Sequence, residues 1–99
     1  MKCLSYTQFF EVIANKTRLR IIESLFRSPK SVTEICNDIK EEQSKVSHNL
    51  KILTDCSFSE FKKDGKKRVY SLNEKTIIPL MNIVDKHAAS HCKKCQMLK

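Results

Sequence analysis

The residues best suited to bind a metal ion lie near the carboxyl end of the chain. Within nine residues of one another are His87, His91, Cys92 and Cys95. Imidazole and thiolate are ligands that Zn²⁺ prefers, and a Cys-x-x-Cys pair behind histidines has the composition of a zinc site. We therefore predict that these side chains bind zinc or another thiophilic divalent metal, with Asp85 as a further candidate ligand.

Helical spacing limits how these ligands can meet at one ion. On a continuous helix His87, His91 and Cys95 form one stripe, whereas the adjacent His91 and Cys92 point apart. Either the helix ends near Ser90 and the following residues wrap around the ion, or ligands from two subunits combine. Two alternatives stay open: a Cys92–Cys95 disulfide that responds to oxidation, and a stretch with no ligand at all.

The composition restricts the other chemistry that the chain can do. It has 99 residues and a single glycine, so a glycine-rich phosphate loop is excluded and a many-stranded β fold is disfavoured. No nucleophile motif is visible, and we expect neither an enzyme nor a small organic substrate. The length predicts one domain over residues 1–99.

The net charge favours a polyanionic partner. The chain carries 19 Lys+Arg against 11 Asp+Glu, a net charge of +8. Nucleic acid is the first candidate for such a binding partner and a membrane surface the second. The simpler explanation is that the positive charge only keeps the protein soluble. The excess is uneven, because residues 31–60 carry six acidic and three basic groups. That acidic third argues mildly against DNA binding, although Glu41 and Glu42, at the turn before the fourth helix, could instead stabilise the N-terminal end of that helix.

Neither a membrane segment nor a secretion signal is visible in the sequence. Every apolar run is too short to cross a membrane, and residues 1–14 lack the uniform apolar region of a signal peptide. We therefore expect a cytoplasmic protein, no membrane partner and reduced thiols. For Cys3, Cys36 and Cys56 we expect a packing role.

Helical spacing of apolar residues predicts five helices. They cover residues 5–14, a segment from Asn15 or Thr17 to Ser28-Pro29, a segment from Ser31 or Thr33 through Ile39, residues 43–54, and residues 75–92. In the second helix Arg18 and Arg20 are expected to face outward. The last helix is expected to bury one stripe, made of Ile77, Leu80, Met81, Val84 and Ala88.

A β-hairpin is expected over residues 58–72. Asp64-Gly65 is typical of a type I′ turn, and it would join strands Phe58–Lys63 and Lys66–Leu72. A short third helix, a tight turn and a fourth helix form a helix-turn-helix, to which the basic hairpin adds a wing. We therefore predict a mainly α winged helix-turn-helix fold (α-α-α-α-β-β-α) whose fourth helix enters the DNA major groove.

Three blocks of the chain carry a family resemblance: residues 14–22, ANKTRLRII, residues 43–53, QSKVSHNLKIL, and residues 63–72, KDGKKRVYSL. They resemble the second helix, the recognition helix and the wing of the ArsR/SmtB family of metal- and stress-responsive repressors. With the flanking helices, the match covers about residues 6–90. The resemblance implies a repressor that dimerises through its first and last helices and binds an imperfect palindrome of double-stranded DNA.

The resemblance also implies DNA-contacting positions in this sequence. Those that read bases and phosphates are Gln43, Ser44, Ser47 and His48. Basic side chains that meet the phosphate backbone, or in the wing the adjacent minor groove, are Lys45, Lys51, Lys62, Lys63, Lys66, Lys67 and Arg68. Two-fold symmetry would place one recognition helix in each half-site.

Metal sites known in the family match this chain only in part. A Cys-x-Cys pair of the family falls on Ser31 and Thr33, so that site is missing. We take Cys36 as a core residue, and Cys56 as structural because the partner cysteine of the family is Ile52 here. Asp85-x-His87 resembles the first half of a zinc site on the last helix, whose second half is absent at its usual distance.

The sequence thus predicts a homodimeric DNA-binding repressor modulated by a thiophilic metal at its C-terminal helix. One alternative is a winged-helix regulator without metal input, or with a redox response through Cys92 and Cys95. Another is a protein-interaction module that does not bind DNA, because fold does not determine function.

Overall fold

The computed structural model describes residues 5–91, which form five helices and one antiparallel hairpin. The elements are α1 (Tyr6–Ile13), α2 (Lys16–Arg27), α3 (Val32–Ile39), α4 (Gln43–Asp55), β1 (Ser59–Asp64), β2 (Lys67–Leu72) and α5 (Ile77–His91). The predicted mainly α class and element order are confirmed.

Side-chain caps determine where the first three helices begin. Ser5 and Gln8 form a capping box at α1, and Ser31 and Glu34 form another at α3. Asn15 caps α2 by accepting a hydrogen bond from the Arg18 backbone N–H at 3.1 Å. Such caps bond to backbone N–H groups that lack a partner in the first turn of a helix. Of the candidate first residues, Asn15 rather than Thr17 caps α2, and Ser31 rather than Thr33 caps α3.

The core joins α2, α3 and α4 to the base of the hairpin and the start of α5. Its buried side chains are Ile13, Ile21, Ile22, Leu25, Ile35, Ile39, Val46, Leu50, Leu53, Phe58, Tyr70, Leu72 and Ile77. Cys36 and Cys56 are half-buried free thiols packed against it, as expected, and burial raises the pKa of Cys36. Cys3 lies outside the described residues.

The predicted outward direction of Arg18 and Arg20 is wrong, because both side chains are half-buried. Helix α2 packs against α1, α3 and α4, so more of its surface is covered than one apolar stripe suggests. Arg20 donates to the Ile39 carbonyl and lies 3.8 Å from a Glu41 carboxylate oxygen. These long side chains therefore tie α2 to its neighbours.

The hairpin turn lies one residue later than predicted. Asp64 pairs with Lys67, so Gly65 and Lys66 form the two-residue loop, and only Gly65 of the two has a positive φ, at +66°. Positive φ at the first loop position alone is the pattern of a type II′ turn, whereas type I′ requires it at both. A glycine at this position meets that requirement.

The connection between α2 and α3 adds a third backbone segment beside the hairpin. The Lys30 N–H donates to the Tyr70 carbonyl at 3.0 Å, and the Tyr70 N–H donates to the Lys30 carbonyl at 2.8 Å. This bridge attaches β2 to the helix-turn-helix. The hairpin is therefore held in a defined position beside α3 and α4.

The predicted buried stripe of α5 is only partly buried. Ile77 is fully buried, but Val84 is 47% exposed and its neighbour Ile83 is 64% exposed. The apolar residues that pack on the core are near the start of the helix, from Ile77 to Met81. Beyond Met81, Ile83 and Val84 are exposed, whereas Ala88 is half-buried.

Candidate nucleic-acid interface

Helix α4 has a buried apolar face and an exposed polar face. Val46, Leu50 and Leu53 are buried in the core, and Asn49 is buried beside them. The predicted contact residues of this helix are all exposed: Gln43, Ser44, Lys45, Ser47, His48 and Lys51. The structure therefore brings these six together on the outer surface of one helix.

Asn49, which the sequence analysis missed, connects α4 to α2. Its Oδ1 accepts a hydrogen bond from Arg18 Nε at 3.1 Å, and its Nδ2 donates to the Lys45 carbonyl at 2.9 Å. The same arginine donates to the Val12 carbonyl at 2.7 Å. Arg18 thus joins α1, α2 and α4, and it fixes the helix that carries the exposed polar residues.

The predicted basic residues of the hairpin are divided between its two faces. Opposing residues of an antiparallel pair share a face. Lys63 opposes Arg68 and therefore lies on the same face as the Phe61–Tyr70 pair, whereas Lys62 lies on the other face. Lys66 is at the loop, and Lys67 opposes Asp64. The five basic residues of the hairpin are all exposed: Lys62, Lys63, Lys66, Lys67 and Arg68.

A cleft of about 460 Å³ separates α4 from the hairpin. Its walls are Ser47, Lys51, Thr54 and Asp55 of α4, Phe61, Arg68 and Tyr70 of the hairpin, and Val32 of α3. The Arg68 guanidinium carbon lies 4.6 Å from the centre of the Phe61 ring, within cation–π range. This contact orients Arg68 toward the cleft that also holds Lys51.

Two acidic residues of the acidic third, Asp38 and Glu41, have partners within the protein. Asp38 accepts from the Ser24 hydroxyl at 2.6 Å and pairs with Arg27, and these two bonds lower the pKa of its carboxyl. Glu41 lies between Arg20 of α2 and Lys45 of α4. Asp38 and Glu41 thus join helices within the protein, and these two carboxylates do not argue against a DNA-binding surface.

Two lysines of the α4 surface form ion pairs with nearby acids. Lys45 Nζ is 3.4 Å from Glu41 Oε2, and Lys51 Nζ is 2.9 Å from Asp55 Oδ2. Lys51 and Asp55 are four residues apart on α4 and therefore lie on the same side of the helix, whereas Glu41 precedes the helix, which begins at Gln43. The two cations are therefore not free in the isolated chain.

The predicted metal ligands are placed only in part. His87 and His91 are exposed on α5, and their ring centres are 5.4 Å apart. Asp85, two residues before His87, is also exposed. Cys92 and Cys95 lie outside the described residues. Within residues 5–91, no group of three or more His, Cys, Asp or Glu side chains could hold a metal ion.

Ser31 and Thr33 occupy the positions of the family's Cys-x-Cys pair. Ser31 is buried and caps α3, and Thr33 is exposed in the first turn of that helix. Hydroxyls are poor ligands for thiophilic metals. The structure thus assigns Ser31 to helix capping.

A helix-turn-helix with an exposed polar second helix and a basic hairpin beside it defines a winged helix-turn-helix DNA-binding domain. Residues 15–58 match the family described as bacterial regulatory protein, arsR family. The chain belongs to this family and is a transcriptional repressor of the ArsR/SmtB type. Within residues 5–91, no helix is long and apolar enough to cross a membrane.

Relatives and solved structures agree with this assignment. The chain is 29% identical over 90 residues to a probable mercury resistance operon repressor of Streptomyces lividans, covering 86% of this chain and 72% of the relative. It is 30% identical over 80 residues to a transcriptional repressor SmtB homolog of Synechocystis, covering 81% of this chain and 61% of the relative.

The crystal structure of Mycobacterium tuberculosis Rv0081 is 30% identical and has a TM-score of 0.78 over 84% of each chain. The homodimeric winged helix-turn-helix domain Mb0332 of Mycobacterium bovis, 20% identical with a TM-score of 0.78 over 95% of each chain, is similar in fold.

Proposed function

We propose that this repressor binds operator DNA in the cytoplasm as a homodimer, with one α4 helix in the major groove of each half-site. The observation that carries this proposal is the exposed polar surface of α4 beside the basic hairpin. Gln43, Ser44, Ser47 and His48 carry donors and acceptors suited to base edges and phosphates. Phosphates are contacted by Lys45, Lys51, Lys62, Lys63, Lys66, Lys67 and Arg68.

Exposed apolar side chains on the outer helices support the homodimer. Tyr6 and Phe10 of α1 are 84% and 53% exposed, and Ile83 and Val84 of α5 are also open to solvent. An apolar surface of this kind marks an interaction site. A two-fold axis through α1 and α5 would present two α4 helices to an imperfect palindrome, with half-site centres about 34 Å or a multiple of it apart.

Salt-dependent binding to DNA tests the role of the hairpin. The fluorescence anisotropy of a labelled duplex from upstream of the gene is titrated at several salt concentrations. Each phosphate contact contributes about one to the slope of log affinity against log salt. Replacing two lysines, in Lys66→Ala/Lys67→Ala, should therefore make this negative slope shallower by about two.

The control is Lys16→Ala/Lys75→Ala, which removes two exposed lysines that lie outside α4 and the hairpin. Its slope should equal that of the wild type. A normal slope in Lys66→Ala/Lys67→Ala would exclude those lysines from the contact surface. A wild-type protein that binds no duplex at any salt concentration would contradict the proposed function itself.

A thiophilic divalent metal at α5 is proposed to modulate DNA binding. Two of the candidate ligands, His87 and His91, are one helical turn apart with neighbouring rings. The similar protein of Streptomyces lividans is described as a probable mercury resistance operon repressor. With Cys92 and Cys95 these histidines would supply the nitrogen and sulfur ligands that Zn²⁺ prefers, and Asp85 is a further candidate.

Zinc stoichiometry under reducing conditions tests this second proposal. The wild type should hold about one Zn²⁺ per chain after dialysis, and Cys92→Ser/Cys95→Ser and His87→Ala/His91→Ala should each hold less. Full stoichiometry in both variants would exclude the site. If zinc binds but the anisotropy titration with chelator matches that with zinc, the metal is structural and does not regulate.

A further inference from the structure

Asp55 is placed unfavourably for the stability of the helix that carries it. It is the last residue of α4, and the last turn of this helix contains no basic residue. The C-terminal end of a helix carries partial negative charge, so a carboxylate there is repelled. Asp55 also follows its partner Lys51 in sequence, the weaker order for an i, i+4 ion pair. Helix stability therefore does not explain an acid at this position.

Asp55 also lies on the proposed DNA-facing surface. It lines the cleft between α4 and the hairpin together with Ser47, Lys51 and Arg68. Lys51 Nζ and Asp55 Oδ2 are 2.9 Å apart, and the two side chains are 75% and 63% exposed. Residues that break a local rule of stability are found most often at functional sites.

Glu41, which pairs with the other α4 lysine, differs from Asp55. It is only 21% exposed and also pairs with Arg20 of α2, so it links two helices within the protein. Asp55 makes its ion pair at the open surface of the cleft. A phosphate group that enters the cleft must therefore compete with the Asp55 carboxylate for Lys51.

We infer that Asp55 acts as a brake on DNA binding, because it holds Lys51 in an ion pair that the phosphate backbone must break. The inference rests on the proposed DNA interface. Once this ion pair is broken, the Asp55 carboxylate also repels the phosphates that approach Lys51 and Arg68. Because non-specific affinity for DNA is supplied almost entirely by phosphate contacts, Asp55 lowers the affinity for any duplex.

The test measures the affinity of Asp55→Asn for the upstream duplex and for an unrelated duplex of equal length. Removing the acid should tighten binding to both about two- to fivefold at low salt, the range for an exposed ion pair. Glu23→Gln is the matched control, because it makes the same change in net charge on α2, where Glu23 faces α5. Its affinity should remain that of the wild type.

A double-mutant cycle tests whether Asp55 lowers DNA affinity through its ion pair with Lys51. If the brake acts by holding this lysine, Asp55→Asn should tighten binding less in a Lys51→Gln background than in the wild type. Equal or weaker binding by Asp55→Asn than by the wild type would overturn the inference, and so would an equal gain from Glu23→Gln or an undiminished gain without Lys51. Wild-type protein that binds neither duplex would instead contradict the proposed function.

Discussion

Arg18 and Asn49 show how single side chains position α4, the helix proposed to bind DNA. The guanidinium contacts Asn49 on α4 and the Val12 carbonyl at the end of α1. Arg18 belongs to the ANKTRLRII block that supports the family resemblance, yet its spacing in α2 predicted an outward direction. Helical periodicity predicts which apolar residues form the buried stripe, but it does not predict which polar side chains contact neighbouring helices.

Arg18→Met should lower the free energy of unfolding by about 1–3 kcal/mol. The substitution keeps much of the aliphatic stem but leaves Asn49 Oδ1 and the Val12 carbonyl without their donor, and unpaired polar groups of this kind cost about that much. Urea denaturation measures the effect. Lys16→Met, at an exposed position of the same helix, should leave stability within about 0.5 kcal/mol of the wild type. Equal stability of the two variants would remove Arg18 from this role.

Among the elements, the turn between α3 and α4 sets the direction of α4, the helix proposed to enter the major groove. Helix α3 ends at Ile39 and is capped by Lys40, whose φ is +57° and whose N–H donates to the Cys36 carbonyl. Glycine is the usual residue in such a left-handed cap. The single glycine of the chain is in the hairpin loop instead, so this turn keeps a conformation that a lysine adopts at a cost.

Lys40→Gly should raise the free energy of unfolding by about 0.5–1 kcal/mol. Glycine removes the penalty of positive φ, although part of the gain is lost because the unfolded chain becomes more flexible. Lys40→Ala is the matched control, since it removes the same side chain but keeps the strained backbone. Thermal or urea unfolding that places Lys40→Gly at or below Lys40→Ala would show that φ is not the source of strain.

The elements also show what could be predicted from sequence. The helices followed from apolar spacing and capping residues, because both signals are local. The hairpin turn was misplaced by one residue because Asp64-Gly65 and Gly65-Lys66 both allow a tight turn. Strand pairing selects between them, and β2 is further held by the Lys30–Tyr70 bridge, a contact between distant parts of the chain.

For the whole molecule, the apolar spacing of α5 predicts one buried stripe, but only the start of the helix packs on the core. A stripe of apolar residues has the same spacing whether it meets its own core or a second subunit. Ile77 meets the core, whereas Ile83 and Val84 remain exposed. The candidate contact residues of α4 come from the recognition-helix block, which is long and specific; all of them are exposed, and their contacts with DNA stay predictions.

Ile83→Glu/Val84→Glu should convert the proposed homodimer into a monomer. Burying two carboxylates in an apolar interface is strongly unfavourable. Light scattering coupled to size exclusion should give half the wild-type mass. Thr33→Glu/Asn37→Glu adds the same charge on exposed positions of α3 and should retain the dimer mass. A variant of α5 that keeps the full mass would show that dimerisation uses another surface.

The most direct test of the central claim is a hydroxyl-radical footprint of the wild-type protein on its upstream DNA. A two-fold dimer with one α4 helix in each half-site should protect two segments whose centres lie about 34 Å or a multiple of it apart. Lys66→Ala/Lys67→Ala should weaken protection on the flanks of each segment. A single protected segment, or uniform protection along the duplex, would contradict a symmetric repressor that reads a palindrome through α4.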